Sequence, residues 1–163
     1  MTDLAWWLEN FKESAFRLET LPAYDSPRET EMLAAFMRGE QVRLPDDFAW
    51  LQMVKSHTQA GKTMQRVRIV SNPLSDYERF ELSLFPQCVE AGEDIRITDD
   101  SELRYADFWL FDNQTVYILR YDINGKFLGI DTRQDVVTYR AIRDRVMEYS
   151  IPLAKFAARA ART

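Results

Sequence analysis

One cysteine and one histidine in 163 residues remove whole classes of chemistry at the outset. Cys88 alone allows no internal disulfide and no multi-cysteine metal site, and its isolation fits a reducing compartment. Thiol catalysis would need Cys88 to meet His57, and nothing beside either residue supports that pairing. Most hydrolytic zinc sites take two or three imidazoles, so a metal would have to rest on carboxylates. Five glycines leave few loops able to approach a phosphate closely, and neither GxxxxGK[ST] nor GxGxxG occurs. HExxH and GxSxG are missing as well. No cofactor and no catalytic residue is therefore expected. No apolar stretch reaches the roughly 18 residues of a membrane span. Met1–Trp7 has no basic start and no apolar run, and reads as no secretory leader. Together these absences predict a cytoplasmic protein.

What is present is core material and charge. Hydrophobic residues make up 46% of the chain and aromatics 13%, enough to exclude disorder. The length suits one domain over 1–163. A net charge of −5 argues against general nucleic-acid binding, but the charge is uneven. Residues 133–163 carry seven basic and three acidic side chains, a local +4 that leaves −9 on the rest. A contact surface and a basic helix lying near an acidic body both explain such asymmetry.

Periodicity predicts the elements. Leu4, Trp7, Leu8 and Phe11 recur at helical spacing behind a cap at Thr2, and Phe16–Glu19 alternate as a short extended piece. Ser26-Pro27-Arg28-Glu29 is a capping box opening a helix that Gly39 stops. Pro45-Asp46-Asp47 begins another, closed by Gly61. Residues 64–70 form a strand, Asn72 and Pro73 start a helix that Pro86 ends or kinks, and 94–97 form a strand parallel to the first. Runs at 106–111, 116–121 and 126–130 read as a three-stranded antiparallel meander, with Asn124-Gly125 as a type I′ turn. Asp131 or Thr132 caps a last long helix with Val136, Tyr139, Ile142, Val146 and Tyr149 inward. The expected fold is α/β (α+β): a single mixed sheet of about five strands, ending in the meander, with helices packed on it.

The densest chemistry lies between 65 and 81. Arg66 and Arg68 leave one face of a strand, and the following helix points free N–H groups toward the same end, a general anion site. Ser71 and Ser75 add hydroxyls, and Tyr77 and Trp109 add rings. A phosphate or carboxylate could dock there through bidentate guanidinium bonds. Glu78, Glu81, Glu93, Asp94 and Asp107 could equally neutralise both arginines, pinning strand to helix. The ligand-contact set is Arg66, Arg68, Ser71, Ser75, Tyr77, Glu78, Glu93, Asp107 and Trp109. A second candidate is Glu93 and Asp94, with Asp107 and Asp112 further on, where paired carboxylates can do acid–base work if one is desolvated.

The motifs Gln65-Arg66-Val67-Arg68-Ile69-Val70-Ser71-x-Pro73-Leu74-Ser75-Asp76-Tyr77, Ala91–Arg96, Asp107–Asp112 and Phe16–Glu19 resemble an actinobacterial family of small proteins known only as a domain of unknown function. The resemblance covers nearly the whole chain. Family members are commonly encoded beside helix-turn-helix (XRE-type) regulators and their small accessory proteins. That context implies a regulatory or adaptor module binding a small anionic ligand or a partner protein, the regulator or its accessory protein being the expected partner. The alternative is a hydrolase or transferase acting on an anionic substrate. Phe108–Phe111, Val116–Leu119 and the terminal helix are also similar to domains with a phospholipase-D-like half-fold, but no HxKxxxxD motif follows His57. Direct nucleic-acid contact by Arg140, Arg143 and Arg145 is the least favoured reading.

Overall fold

The computed structural model describes residues 3–162; the expected cap Thr2 lies outside them. Seven strands form one mixed sheet in the order β6-β5-β4-β1-β2-β3-β7. The strands are β1 (Ser14–Glu19), β2 (Thr63–Ile69), β3 (Asp94–Thr98), β4 (Phe108–Phe111), β5 (Thr115–Tyr121), β6 (Phe127–Arg133) and β7 (Ile151–Pro152). The helices are α1 (Asp3–Asn10), α2 (Thr30–Met37), α3 (Ala49–Gln59), α4 (Asp76–Ala91), α5 (Val136–Glu148) and α6 (Leu153–Ala161).

The fold class and the meander are as the sequence predicts, with seven strands instead of about five. One addition to the sheet is β1, which contains the expected extended piece Phe16–Glu19 and sits at the centre between β2 (parallel) and β4 (antiparallel). The other is the two-residue β7, below the reach of any period-2 pattern, which pairs with β3. β2 and β3 are parallel, as expected of strand–helix–strand. All four residues of β4 are buried, which its two apolar faces required.

Two cores result, one on each face of the sheet. Ala15, Met64, Ile95, Trp109 and Phe111 project into the larger, covered by α1, α2, α3, α4 and α6. Phe16, Leu18, Val67, Phe108 and Leu110 project into the smaller, covered by Val136, Tyr139, Ile142 and Val146 of α5. Tyr149, expected inward, is half exposed because the helix ends at Glu148.

Four boundaries move for local chemical reasons. The helix expected at Pro73 starts at Asp76, because Ser75 and Glu78 form a reciprocal capping box. It runs through Pro86 to Ala91, ending at Gly92 with φ +124°, so Pro86 does not end it. Ser26 makes no side-chain cap; Pro27–Glu29 form a 3-10 turn before α2. The cap of α5 is Asp135, which accepts from Thr138 N, since β6 continues through Arg133. The type I′ turn is also elsewhere. Asp112 and Asn113, with φ of 51° and 57°, make it between β4 and β5, while at the second turn only Gly125 has positive φ. Among the described residues no helix is long and apolar enough to cross a membrane.

Candidate functional site

Strand alternation decides which polar groups meet. Arg17 and Glu19 leave β1 on the face that carries Ala15, and Arg66 and Arg68 leave β2 on the face that carries Met64. The parallel register sets Arg17 beside Arg66 and Glu19 beside Arg68. Two guanidiniums side by side repel, so acids must separate them. Arg17 Nη2 meets Asp107 Oδ2 at 3.2 Å, Arg66 meets Glu93 at 2.7 Å and Glu19 at 3.0 Å, and Arg68 Nε meets Glu81 at 2.6 Å. Every one of these side chains is at most 12% exposed. Breaking such a buried pair leaves a desolvated charge, at a cost of about 3–5 kcal/mol.

Aromatic rings and a loop finish the arrangement. The Arg66 guanidinium lies over Phe85 and Trp50, 4.9 and 5.6 Å from their centroids, and that of Arg68 lies 5.3 Å from the Tyr24 ring. The Tyr24 hydroxyl donates to Asp107 Oδ2 at 2.5 Å and accepts from Thr20 N and Leu21 N. Its loop is held by Asp25 N donating to the Gly125 carbonyl at 3.0 Å. Gly125 has φ +80°, and a Cβ there would run into the Ala23 carbonyl, so the close approach needs glycine.

Between these elements, at the carboxyl ends of β1 and β2, opens a cleft of about 410 Å³. Arg17, Glu19, Arg66 and Glu81 face it from the sheet and from α4. Tyr77, Tyr24, Tyr121 and Phe127 form a chain of edge-to-face rings along it, with neighbouring centroids 5.1–5.9 Å apart. Glu29 sits at the mouth and accepts from the Tyr77 hydroxyl at 3.0 Å. Carboxyl ends of parallel strands are the usual ligand position in α/β sheets.

Burial and charge divide the carboxyls. Burial first, then the negative charge of Glu19, pushes Glu81 up to about 8, against the opposing pull of Arg68 and Arg66. Burial would raise Glu19 too, but Arg66, then Arg17 and Arg68, outweigh it and hold Glu19 below its ordinary value. The two carboxyls are thus driven in opposite directions within one network. Burial also raises Glu29 and the hydroxyls of Tyr24, Tyr77 and Tyr121. The Arg68 Nη1 donates to the Ile69 carbonyl at 3.0 Å, while Nη2 is buried with no hydrogen-bond partner.

The sequence candidates fall into four places. Arg66 and Tyr77 line the cleft; Arg68, Glu93 and Asp107 stand behind it as ion-pair partners. Ser71, Ser75 and Glu78 build the cap of α4 instead: Glu78 accepts from Ser71 N at 2.9 Å and Ser75 N at 2.8 Å, and Ser75 Oγ accepts from Glu78 N at 3.0 Å. The expected anion site at that helix start is thus filled by the protein's own carboxylate. Trp109 is a core ring stacked on Phe111 at 5.4 Å. Sequence reasoning passed over Arg17, Glu19, Tyr24, Glu29 and Tyr121 as cleft residues. The shared parity of Arg17-x-Glu19 and Arg66-x-Arg68 on two strands was the available signal.

Other reactive groups are elsewhere. His57 packs on Phe11 at 4.3 Å, with Nε2 2.8 Å from the Leu8 carbonyl. Burial pushes the Cys88 thiol up to about 12, which leaves it a neutral core group. Among the described residues, no group of three or more His, Cys, Asp or Glu is placed to hold a metal ion.

The fold has known counterparts. Nuc from Salmonella typhimurium, a phospholipase D family member, matches with a TM-score of 0.53 over 90% of this chain and 86% of its own, at 7% identity. NucT from Helicobacter pylori matches with a TM-score of 0.51 over 92% and 88%, at 9% identity. These likenesses establish a phospholipase-D-like fold. No curated protein matches the sequence. A family model described as domain of unknown function DUF6879 matches residues 2–158, so the chain belongs to the DUF6879 family.

Proposed function

We propose that the protein is a regulatory ligand-binding module on a phospholipase-D-like fold, taking a small polar molecule into the cleft between β1, β2 and α4. The observation that carries this is the state of the arginines. Arg17, Arg66 and Arg68 are each held by a buried carboxylate, so they shape a binding wall and are not waiting for a phosphoryl group. The sole histidine packs on Phe11 and bonds the Leu8 carbonyl, outside the cleft lining. A bare anion is disfavoured, because acids outnumber guanidiniums in the network. The regulator or accessory protein implied by the family resemblance is the proposed reader of the bound state.

One observation favours a second reading. Glu81 is a desolvated carboxyl facing the cleft, the type of group a general acid–base mechanism needs, and the fold neighbours include a phospholipase D family member. Two measurements on the full chain separate the readings. Thermal-shift screening with small polar molecules is expected to give binders, while bis(p-nitrophenyl) phosphate is expected to show no turnover above buffer. Turnover that disappears in Glu81→Gln would establish the hydrolase and overturn the module.

A further inference from the structure

The two edges of the sheet are unlike. β7 has two residues and offers little to pair with. β6 has seven, contains no proline or lysine, and among the described residues nothing pairs with its outer side. An open strand of this kind presents a row of N–H and C=O groups to any chain that can lie beside it. Its built-in protection is a bulge, where the register with β5 skips Leu128. Exposed apolar side chains gather along the same border. Phe127 and Leu128 are half exposed on the strand itself, while Ile123 and Val137, just past its ends, are 99% and 72% exposed. Ile123 precedes Phe127 by as many residues as Val137 follows Arg133, so both ends of the edge carry an unprotected aliphatic group.

We propose that β6 is a homodimer interface, pairing antiparallel with β6 of a second copy about a two-fold axis at Ile130, so that the two sheets become one. Charge decides the axis. Set on Asp131, it would oppose two like charges. Set on Ile130, it places Asp131 of each copy across from Gly129 of the other. The Arg120 guanidinium covers that glycine: a Cβ there would lie 2.8 Å from Arg120 Nη2. Arg120 Nε meets its own Asp131 at 3.1 Å, and both side chains are partly exposed. Arg120 is paired with Gly129, and Asp131 lies two residues on, so all three share one face of the sheet. The second copy's Asp131 arrives on that face beside Nη2, and two separate ion pairs join into a neutral ring of four charges.

The bulge at Leu128 confines the regular ladder to Gly129, Ile130 and Asp131, which is short, and the apolar ends supply what it lacks. The axis brings the Ile123 end of each copy against the Val137 end of the other and takes these side chains out of water. A foreign protein docking on Val137 would compete with the second copy for the same patch.

Sedimentation velocity of the full chain over a range of concentrations tests this, and should show a reversible dimer at micromolar protein. Ile123→Lys/Val137→Lys alters side chains that stand in water, so it should keep the native thermal midpoint and weaken the dimer by about tenfold or more. Arg120→Asp and Asp131→Arg should each weaken it, and the combined swap should restore it. Hydrogen exchange locates the contact: the segment Gly129–Asp131 should be protected in the dimer and exchange faster on dilution. A chain that stays monomeric at every concentration would overturn the inference. So would a dimer indifferent to the lysine pair, with exchange in β6 unchanged on dilution. A dimer lost in the lysine pair but untouched by either charge reversal would overturn the axis at Ile130.

Discussion

Arg68 and Glu81 show how one buried pair ties stability to pH. The folded-state midpoint of Glu81 lies above its unfolded one, so the stability it contributes is complete below the ordinary carboxyl range. That contribution is lost as pH rises through about 8. Glu19 is shifted the other way, and its contribution is lost only as pH falls below the ordinary range. Urea midpoints should therefore decline between pH 5 and 8 for the native chain (both pH limits approximate, from ordinary carboxyl values) and decline less in Glu81→Gln. Arg68→Met removes the charge that partly restrains Glu81, so its destabilisation, about 3 kcal/mol near neutral pH, should grow as pH rises. A cost independent of pH would mean that Glu81 is not the group responding. At this scale the sequence was only half legible. It put Arg66 and Arg68 on one face, but their partners Glu81, Glu93 and Glu19 lie 13, 27 and 47 residues away, and no local pattern selects among the acids.

The start of α4 is where local signals competed. Asn72-Pro73 is the start expected from the sequence, and the Ser75–Glu78 reciprocal box displaces it because it satisfies donors at both ends. Ser75→Ala should cost about 1 kcal/mol, the usual loss for an N-cap hydroxyl. Glu78→Ala should cost more, about 2 kcal/mol, because Ser71 N and Ser75 N both lose an acceptor inside a nearly dry corner. Chemical denaturation of the two variants checks the order; a larger loss for Ser75→Ala would mean that the carboxylate is dispensable. Long periodic stretches such as α4 and the meander were legible from their spacing. Among the short ones, Phe16–Glu19 was legible as extended but its place in the sheet was not, and β7 was missed. β1 gains its central position from register with β2 and β4, which is long-range information, and β7 has two residues. The turn assignment failed for a similar reason: Asn-Gly is the stronger type I′ pair, but Asp112 also accepts from Lys12 N, Glu13 N and Ser14 N, and that tertiary bonding selects the first turn.

For the molecule as a whole, the separation of charge bears on what it can touch. The basic stretch from 133 onward forms α5 and α6, yet several of its guanidiniums are already engaged. Arg140 donates to the Asn113 carbonyl at 2.6 Å, Arg143 bonds Asn113 Oδ1 and Asp144, and Arg159 meets Asp99 at 3.3 Å. Binding to a duplex requires cations free to neutralise consecutive phosphates, and each such contact steepens the salt dependence. Here the contacts with Asn113, Asp144 and Asp99 would have to be surrendered first, beneath a body carrying −9. A fluorescently labelled random-sequence duplex should therefore show no binding to the full chain at micromolar protein, even at low salt. Steeply salt-dependent binding lost in Arg140→Ala/Arg143→Ala would instead make α5 a nucleic-acid contact. It would also shift the regulatory reading from ligand recognition at the sheet's end to direct action on DNA. A protein partner makes the opposite demand. It can use exposed Val137 and Tyr149 on and beside α5 without breaking those bonds, so co-purification of a regulator should survive salt that would strip an electrostatic complex.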